Sequence, residues 1–276
     1  MAATRSSGSI PGDPGLFGPG SVAWRVNGEA ALILAGPRAL LMQIAHPLVA
    51  AGVAGHSDFP AGAYRRLART MEAMLAISFG DTGQALRAAE SVTAVHRRVA
   101  GRASGGAYSA LDPDLLLWVW ATLVDSALEA YGRFVGRLSE DDRRRYVEEM
   151  HALAVAMHTP LGILPRSLEA FRAYVEETSR SLVVSDDARR LAPAILTPPM
   201  PLPLRPVALG QREVTIGLLP EPLRAAYGLS WNPVREAALR TGALGVRTAL
   251  RAIPQVLRRA PQARWAERRM AAAGPP

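Results

Sequence analysis

The chain has 276 residues, of which 49% are hydrophobic and 20% charged, a composition typical of a folded domain with a large core. All 32 basic residues are arginine and the formal charge is +8. These arginines are dispersed except over the last thirty positions, so no nucleic-acid partner is expected from charge alone. Cysteine is absent, which excludes disulfides, thiolate catalysis, zinc fingers and iron–sulfur clusters.

The N-terminal segment is rich in Gly, Ser and Pro and predicts a flexible arm over 1–20. It has no continuous apolar stretch, so it does not resemble a secretory signal. The most apolar run, 115–124, is too short to span a bilayer. We therefore expect a cytoplasmic protein in which 21–276 forms one domain that includes a basic C-terminal helical segment.

Helical patterns follow one another after the arm, without sustained period-two alternation or internal repeats. Pro47 disturbs the second helix, and Gly52 and Gly55 end it. Asp112 is a good N-cap for the fifth helix, whose apolar first half is typical of a buried central helix. The sequence thus predicts an all-α domain with a pocket between helices and without a sheet. The predicted helices span 22–34, 37–54, 64–79, 82–101, 113–137, 139–157, 165–183, 186–196 and 211–227, the last with a break at Leu219–Pro220. A set of basic helices, divided by Pro254 and Pro261, covers 232–270. A Gly/Ser loop is predicted over 102–111 and an extended proline-rich connector over 197–206.

Two of the five histidines, His46 and His56, bracket nine small or apolar residues in the stretch HPLVAAGVAGHSDF. Either histidine could be a metal ligand, an acid or base, or a hydrogen-bonded core or cap residue. Asp58 could orient the ring of His56 or cap the next helix. Considered alone, this stretch favours the structural role for both histidines.

The stretch RRLARTMEAML places Arg66 and Thr70 four residues apart, on one face of a helix, with Arg69 one turn from Arg66. Two arginines beside a hydroxyl could hold an anion such as a haem propionate through charge-assisted hydrogen bonds. The alternative is an ordinary amphipathic helix whose arginines are solvated.

In the stretch AVHRRVAG, His96 follows Val92 by four positions and lies on the apolar stripe of its helix. A histidine there is more often a hydrogen-bonded core residue than a ligand. As a ligand, it would present one ring nitrogen to a metal in a dry pocket.

An acidic residue interrupts the most apolar helix, in LLLWVWATLVDSAL. Asp125 needs a partner if it is buried. An arginine from a neighbouring helix is the simpler expectation, and a hydrogen bond to a metal-ligating histidine is the alternative.

Two further features leave alternatives open. His151 and His158 lie seven residues apart on one helix face, without a HExxH pattern, and we expect surface or groove positions for them. The C-terminal stretch VRTALRAIPQVLRRAPQARWAERRM mixes arginines with apolar side chains at helical spacing. It could lie on an anionic membrane surface or pack its apolar stripe on the core.

In combination and in this order, the motifs resemble the DUF2236 family, which shares the catalytic domain of the rubber oxygenases (latex clearing proteins) and the fungal MpaB-type oxygenases. The resemblance rests on ALLMQIAHPLVAAGVAGHSDF, RLART, SFG, VHRRVAG, YSALDPDLLLWVWATLVDSAL and GLLPEPLRAAYGLSW, and it covers roughly 20–260. It implies an all-helical fold and a b-type haem. By this resemblance His96 would be the axial iron ligand, with Arg66, Arg69 and Thr70 as further cofactor-binding residues.

Three positions depart from the family pattern. Arg69 stands where the rubber enzymes can offer a lysine to the iron, and a protonated guanidinium is a very poor ligand. The rubber enzymes also use a distal glutamate as a base, whereas this chain has no glutamate between 30 and 71. His46 or His56 would take that catalytic place. Trp120 stands where members often carry a histidine.

The resemblance implies an enzyme that uses O₂ on a small lipophilic, isoprenoid substrate, by cleavage of a carbon–carbon double bond or a related oxidation. A non-haem iron protein of the same fold, with iron held by His46, His56, His96 and His158, is one alternative. A non-catalytic ligand-binding protein or basic peripheral membrane protein is another.

Overall fold

The computed structural model describes residues 10–56, 63–103, 106–198 and 200–272, and for 63–68 the backbone only. The fold is mostly helical and confirms the all-α prediction. The α-helices are α1 (Val22–Asn27), α2 (Gly36–Ala45), α3 (Pro47–His56), α4 (Ala63–Phe79), α5 (Thr82–His96), α6 (Pro113–Ala130), α7 (Glu140–Glu149), α8 (His151–Ala156), α9 (Leu168–Ser181), α10 (Asp186–Leu196), α11 (Arg205–Leu218), α12 (Glu221–Ala226), α13 (Pro233–Ala252), α14 (Gln255–Arg258) and α15 (Pro261–Ala271). Short 3₁₀ segments cover Ala30–Ala35, Leu161–Ile163 and Leu202–Leu204, and a π-helical turn covers Tyr131–Val135.

The central helix is α6, as predicted from its apolar pattern. Asp112 caps it by accepting a hydrogen bond from the backbone N–H of Asp114, and Pro113 occupies the first helical position. Helices α2, α8 and α9 pack around it. The indole of Trp118 donates to the carbonyl of Met42 at 3.0 Å, which satisfies the polar atom of a side chain buried between α6 and α2.

Pro47 breaks the predicted second helix rather than only kinking it. Helix α2 ends at Ala45, His46 has an extended backbone, and α3 begins at Pro47. The segment Ala30–Ala45 and α3 meet at an angle of 106°. A proline at the first helical position suits this geometry, because its missing N–H would have no partner there.

The expectation of a sheet-free fold was wrong in one place. Ala100–Ala103 and Gly106–Ser109 form a two-stranded antiparallel hairpin, β1 and β2, within the region predicted as the end of a helix and a loop. Each strand has only four residues, which is too short to produce a clear alternation of apolar and polar positions.

The first predicted helix, 22–34, is likewise divided. Helix α1 ends at Gly28, and a 3₁₀ segment follows. A Cβ atom on Gly28 would lie 2.3 Å from the guanidinium carbon of Arg259. Arg259 is 5% exposed and donates to the carbonyls of Trp24 and Arg25, so the C-terminal segment helps to end the first helix.

The predicted N-terminal arm is described from Ile10 onwards. In this part, Phe17 is buried in the main core, and Asp13 accepts hydrogen bonds from the backbone N–H and the hydroxyl of Thr82. The backbone N–H of Gly12 donates to the carbonyl of Arg269. Residues 10–17 therefore contact both α5 and α15, and the flexibility of the arm stays a prediction.

Within the described ranges, no single helix is both long and apolar enough to cross a membrane. By length and composition only, the bent pair Ala30–Ala45 and Pro47–His56 meets the criterion together.

Candidate active site

The imidazole of His46 caps the corner between α2 and α3. Its Nδ1 accepts a hydrogen bond from the backbone N–H of Leu48 at 3.3 Å, so the neutral ring carries its proton on Nε2. The side chain is half-buried. Burial lowers the pKa of His46, although the carboxylates of Asp112 and Asp114 act in the opposite direction. His46 is thus suited to donate a hydrogen bond from Nε2.

His56 is the last residue of α3, and its ring has the opposite tautomer to that of His46. Its Nδ1 lies 3.3 Å from the carbonyl oxygen of Gly52, and because a carbonyl only accepts, Nδ1 carries the proton. In the neutral ring, Nε2 then has the lone pair. The ring is exposed and meets Tyr108 edge-on, with ring centroids 6.2 Å apart. His56 is thus suited to accept a proton at Nε2.

The glycines between these histidines allow α3 to approach the hairpin closely. A Cβ atom on Gly52 would lie 3.2 Å from Cγ1 of Val99, and one on Gly55 would lie 3.4 Å from the hydroxyl of Tyr108. On the facing strand, a Cβ on Gly101 would lie 2.7 Å from the same hydroxyl. One face of α3 is therefore packed against β1 and β2.

His96 is the last residue of α5 and lies close to this contact. It follows Thr93 by three positions and Ala89 by seven, so it shares their helix face, and both are at most 2% exposed. The His96 side chain is half-buried. The carbonyl of His96 accepts the N–H of Val99. Since Val99 contacts Gly52, the α5 end that carries His96 lies against α3.

The predicted Arg/Thr group lies on α4. The two-residue connection Gly80–Asp81 returns the chain from α4 to α5, and the two helices pack along each other. The end of α5 that carries His96 therefore lies beside the beginning of α4. Arg69 is exposed and Thr70 is half-buried. The side chain of Arg66, like all of Ser57 and Asp58, lies outside the described residues.

The acidic residue of α6, Asp125, is partly buried and has an arginine partner, as the simpler expectation predicted. A guanidinium nitrogen of Arg38 lies 2.6 Å from a carboxylate oxygen of Asp125. Arg38 also donates to the carbonyl of Leu218 and to the hydroxyl of Ser126. This cluster ties α2 and α11 to α6 and has a structural role.

Trp120 and His151 pack together on the other side of α6. The Trp120 indole donates to the carbonyl of Met150 at 2.9 Å and lies 5.5 Å from the His151 ring, centroid to centroid. Burial lowers the pKa of His151, while a hydrogen bond to the backbone of Pro165 acts in the opposite direction. Trp120 is therefore an anchored core residue.

An open groove of about 710 Å³ lies between α5 and α8, and His151 and His158 line it, which agrees with the surface or groove positions expected for them. His158 lies at its rim, 3.3 Å from a carboxylate oxygen of Glu90. His158 has φ of 66°, a conformation that usually belongs to glycine at a helix end. The groove is lined by Leu16, Leu86, Glu90, His151, Ala152, Val155, Ala156, His158 and Leu161, so none of the predicted site residues faces it.

The alternative of non-haem iron finds no ligand set in the described part of the chain. Within those residues, no three His, Asp or Glu side chains are grouped so that they could hold a metal ion. His46 and His56 lie at opposite ends of α3, and His158 pairs with Glu90 on the α8 side. The four histidines proposed as iron ligands therefore do not converge.

Comparison with known proteins gave one informative result. No curated protein and no solved structure matches the chain. A family model described as "ER-bound oxygenase mpaB/B'/Rubber oxygenase, catalytic domain" matches residues 24–271. This match spans nearly the whole chain and every motif on which the resemblance rests. The chain therefore belongs to the family of mpaB and rubber oxygenase catalytic domains.

Proposed function

We propose that the chain is a haem b-dependent oxygenase that uses O₂ on a small lipophilic, isoprenoid substrate. The observation that carries the proposal is the place of His96, half-buried on the face of α5 that carries the buried Ala89 and Thr93, on a helix that packs against α4. Membership of an oxygenase family supports the class of reaction. The reaction proposed is cleavage of a carbon–carbon double bond or a related oxidation.

The donor set fits a haem better than a bare metal ion. A haem needs from the protein only one or two axial ligands, and a single histidine can serve. A non-haem iron needs several protein ligands together, and none are grouped within the described ranges. When bound, haem would supply the iron that activates O₂. His96 would hold the iron, while exposed Arg69 and half-buried Thr70, with Arg66, would hold the propionates.

The two histidines of α3 offer different polar chemistry, and because they lie at opposite ends of the helix, the proposal places only one of them at the reacting atoms. In that place His46, which offers a proton on Nε2, would donate a hydrogen bond to dioxygen or to a developing oxyanion. In that place His56, which has its lone pair on Nε2, would instead remove an allylic proton from the substrate. These assignments follow from the backbone partners of their Nδ1 atoms, Leu48 N–H and the Gly52 carbonyl.

The apolar character of α3 supports a lipophilic substrate. Between His46 and His56 the helix carries only Pro, Leu, Val, Ala and Gly, and it contributes no charged group. Such walls exclude water and favour a hydrocarbon chain over a charged metabolite. The substrate is therefore expected to be an uncharged alkene.

Absorption spectroscopy tests the haem assignment. Protein purified from haem-replete cells should show a Soret band, and His96→Ala should lose most of it. His158→Ala is the matched control, because this exposed histidine lies on the groove side of the fold. Imidazole added to the His96→Ala protein should restore part of the band. A colourless parent protein that does not take up haemin would refute the proposal.

Isotope labelling tests the reaction. The haem-loaded protein is incubated with an isoprenoid alkene such as squalene under labelled dioxygen. Cleavage of one double bond by one O₂ gives two carbonyl groups, and mass spectrometry should find a labelled oxygen in each. Products labelled only from water would contradict the proposed use of O₂.

A further inference from the structure

The positive charge of the chain is concentrated at its C-terminal end. Residues 233–271, which form α13 to α15, contain nine arginines and two glutamates. They therefore carry seven of the eight net positive charges, and the rest of the chain is almost neutral. A charge distribution this uneven is more informative than the net charge itself.

Three of these arginines bind groups within the fold. Arg259 is 5% exposed and pairs with Glu267, and Arg269 donates to the carbonyls of Asp13 and Phe79. Arg247 donates to the carbonyls of Gly132 and Arg133 at the π-helical turn. These three arginines fasten α13 and α15 to the domain and are not directed to a partner.

Other arginines point to solvent beside exposed apolar side chains. Arg251 is exposed on α13, and Arg240, which is also exposed, pairs with Glu236 on the same helix. Leu244, one turn after Arg240, is 62% exposed. At the following corner, Val256 and Leu257 are 60% and 65% exposed. We call the following set the C-terminal basic face: Arg240, Leu244, Arg251, Ile253, Val256 and Leu257.

We propose that the C-terminal basic face binds the surface of an anionic lipid bilayer. Guanidinium groups form strong charge-assisted hydrogen bonds with lipid phosphates and carboxylates. Leucine and valine side chains that project beside them can enter the boundary between headgroups and acyl chains. Helices α13 and α14 would then lie in the interface rather than cross the membrane.

The chemistry of the face favours lipid over the other occupants that a basic surface can have. A nucleic acid offers phosphates but no apolar phase for Leu244, Val256 and Leu257. A second copy of the chain would bring two strongly positive segments together, which costs electrostatic free energy. An anionic bilayer satisfies both the charge and the apolar side chains.

Vesicle flotation tests this proposal with the full chain. Vesicles of phosphatidylcholine with phosphatidylserine should carry the protein, and pure phosphatidylcholine vesicles should carry much less. Raised salt should weaken the association, because charges at the surface are screened. Arg251→Gln should lower the partition coefficient about fivefold, and Leu257→Asp should lower it at least as much.

Matched variants elsewhere on the surface serve as controls. Leu161, at 64% exposure, is as exposed as Leu257 but lies beside Glu90 and His158 in the groove wall. Leu161→Asp and Arg166→Gln should leave flotation unchanged, and circular dichroism should show that all four variants fold. The proposal would be overturned if the control variants lost as much flotation as Arg251→Gln and Leu257→Asp do. Equal binding to neutral and anionic vesicles, or binding to duplex DNA without flotation, would also overturn it. The result does not depend on whether haem is bound.

Discussion

The guanidinium of Arg38 lies 2.6 Å from the carboxylate of Asp125 and joins α2 to the central helix α6. The Arg38 side chain is 3% exposed, whereas that of Asp125 is 20% exposed. Arg38 also donates to the Leu218 carbonyl at 2.6 Å and to the Ser126 hydroxyl at 2.6 Å. Three elements of the core therefore depend on one buried cation.

Removing that cation should destabilise the fold strongly. Arg38→Met keeps an apolar stem of similar length but leaves the Asp125 carboxylate and the Leu218 carbonyl without their donor. Breaking a buried pair from one side costs about 3 kcal/mol or more. Urea unfolding followed by circular dichroism measures the free energy of unfolding.

The control for Arg38 is Arg166→Met, since Arg166 is exposed. Surface substitutions of this kind change the free energy of unfolding by about 0.5 kcal/mol or less. If both variants lose the same small amount, the Arg38 cluster does not stabilise the fold as described.

Two glycines in neighbouring helices should respond to alanine in opposite directions. A Cβ atom on Gly217 in α11 would lie 2.4 Å from Leu239 and 2.6 Å from the Trp231 ring. A Cβ atom on Gly242 in α13 would have no other atom within 4 Å. Gly217→Ala should cost about 1–3 kcal/mol through overpacking. Gly242→Ala should gain about 0.5–1 kcal/mol through helix propensity. Thermal unfolding of both variants checks the signs, and a gain at Gly217 would contradict the close packing of α11 against α13.

Local signals predicted much of this fold. Asp112 marked the start of α6, and the need of an acid in an apolar helix for a cation anticipated the partner of Asp125, whereas Pro47 was expected only to disturb a helix that it in fact divides. Each of these rests on residues near one another in sequence or on one physical requirement. The order of the motifs was specific enough to identify the family.

Local sequence patterns could not predict contacts between residues that are far apart along the chain. Gly28 ends α1 beside Arg259, which donates to the carbonyls of Trp24 and Arg25 from more than 230 positions away along the chain. The hairpin β1–β2 is held by packing of Tyr108 against α3, which no alternation of four residues can show. The groove beside His158 depends in the same way on how α5 and α8 meet.

The start of α5 should depend on one reciprocal cap. Asp81 accepts the N–H of Gln84 at 2.7 Å, and the Gln84 side chain accepts the N–H of Asp81 at 3.2 Å. Asp81 is 1% exposed. Asp81→Ala should cost about 1–2 kcal/mol, and Asp81→Asn, which keeps the acceptor, should cost clearly less. Equal losses in the two variants, measured by urea unfolding, would indicate that the cap does not stabilise α5.

The pH dependence of stability should contain a contribution from His46. Burial lowers the pKa of His46 below the ordinary value of 6.5. In the range between the lowered value and 6.5, the unfolded chain binds more protons at this residue than the folded chain does. The free energy of unfolding therefore falls as the pH drops below 6.5, and above that value His46 gives it no pH dependence. The lowered pKa of His151 acts in the same direction.

Two variants at His46 distinguish the effect of ring protonation on stability from the effect of the hydrogen bond that caps α3. His46→Asn removes the titration but keeps a side-chain acceptor for the N–H of Leu48, whereas His46→Ala removes both. Both should reduce the loss of stability between about pH 8 and about pH 5 by the same amount. Only His46→Ala should lower the free energy of unfolding at the higher pH, by about 1 kcal/mol. If the pH dependence is unchanged in both variants, His46 is not desolvated in the folded state, and the hydrogen bond at Nδ1 alone would explain its position at the corner of α2 and α3.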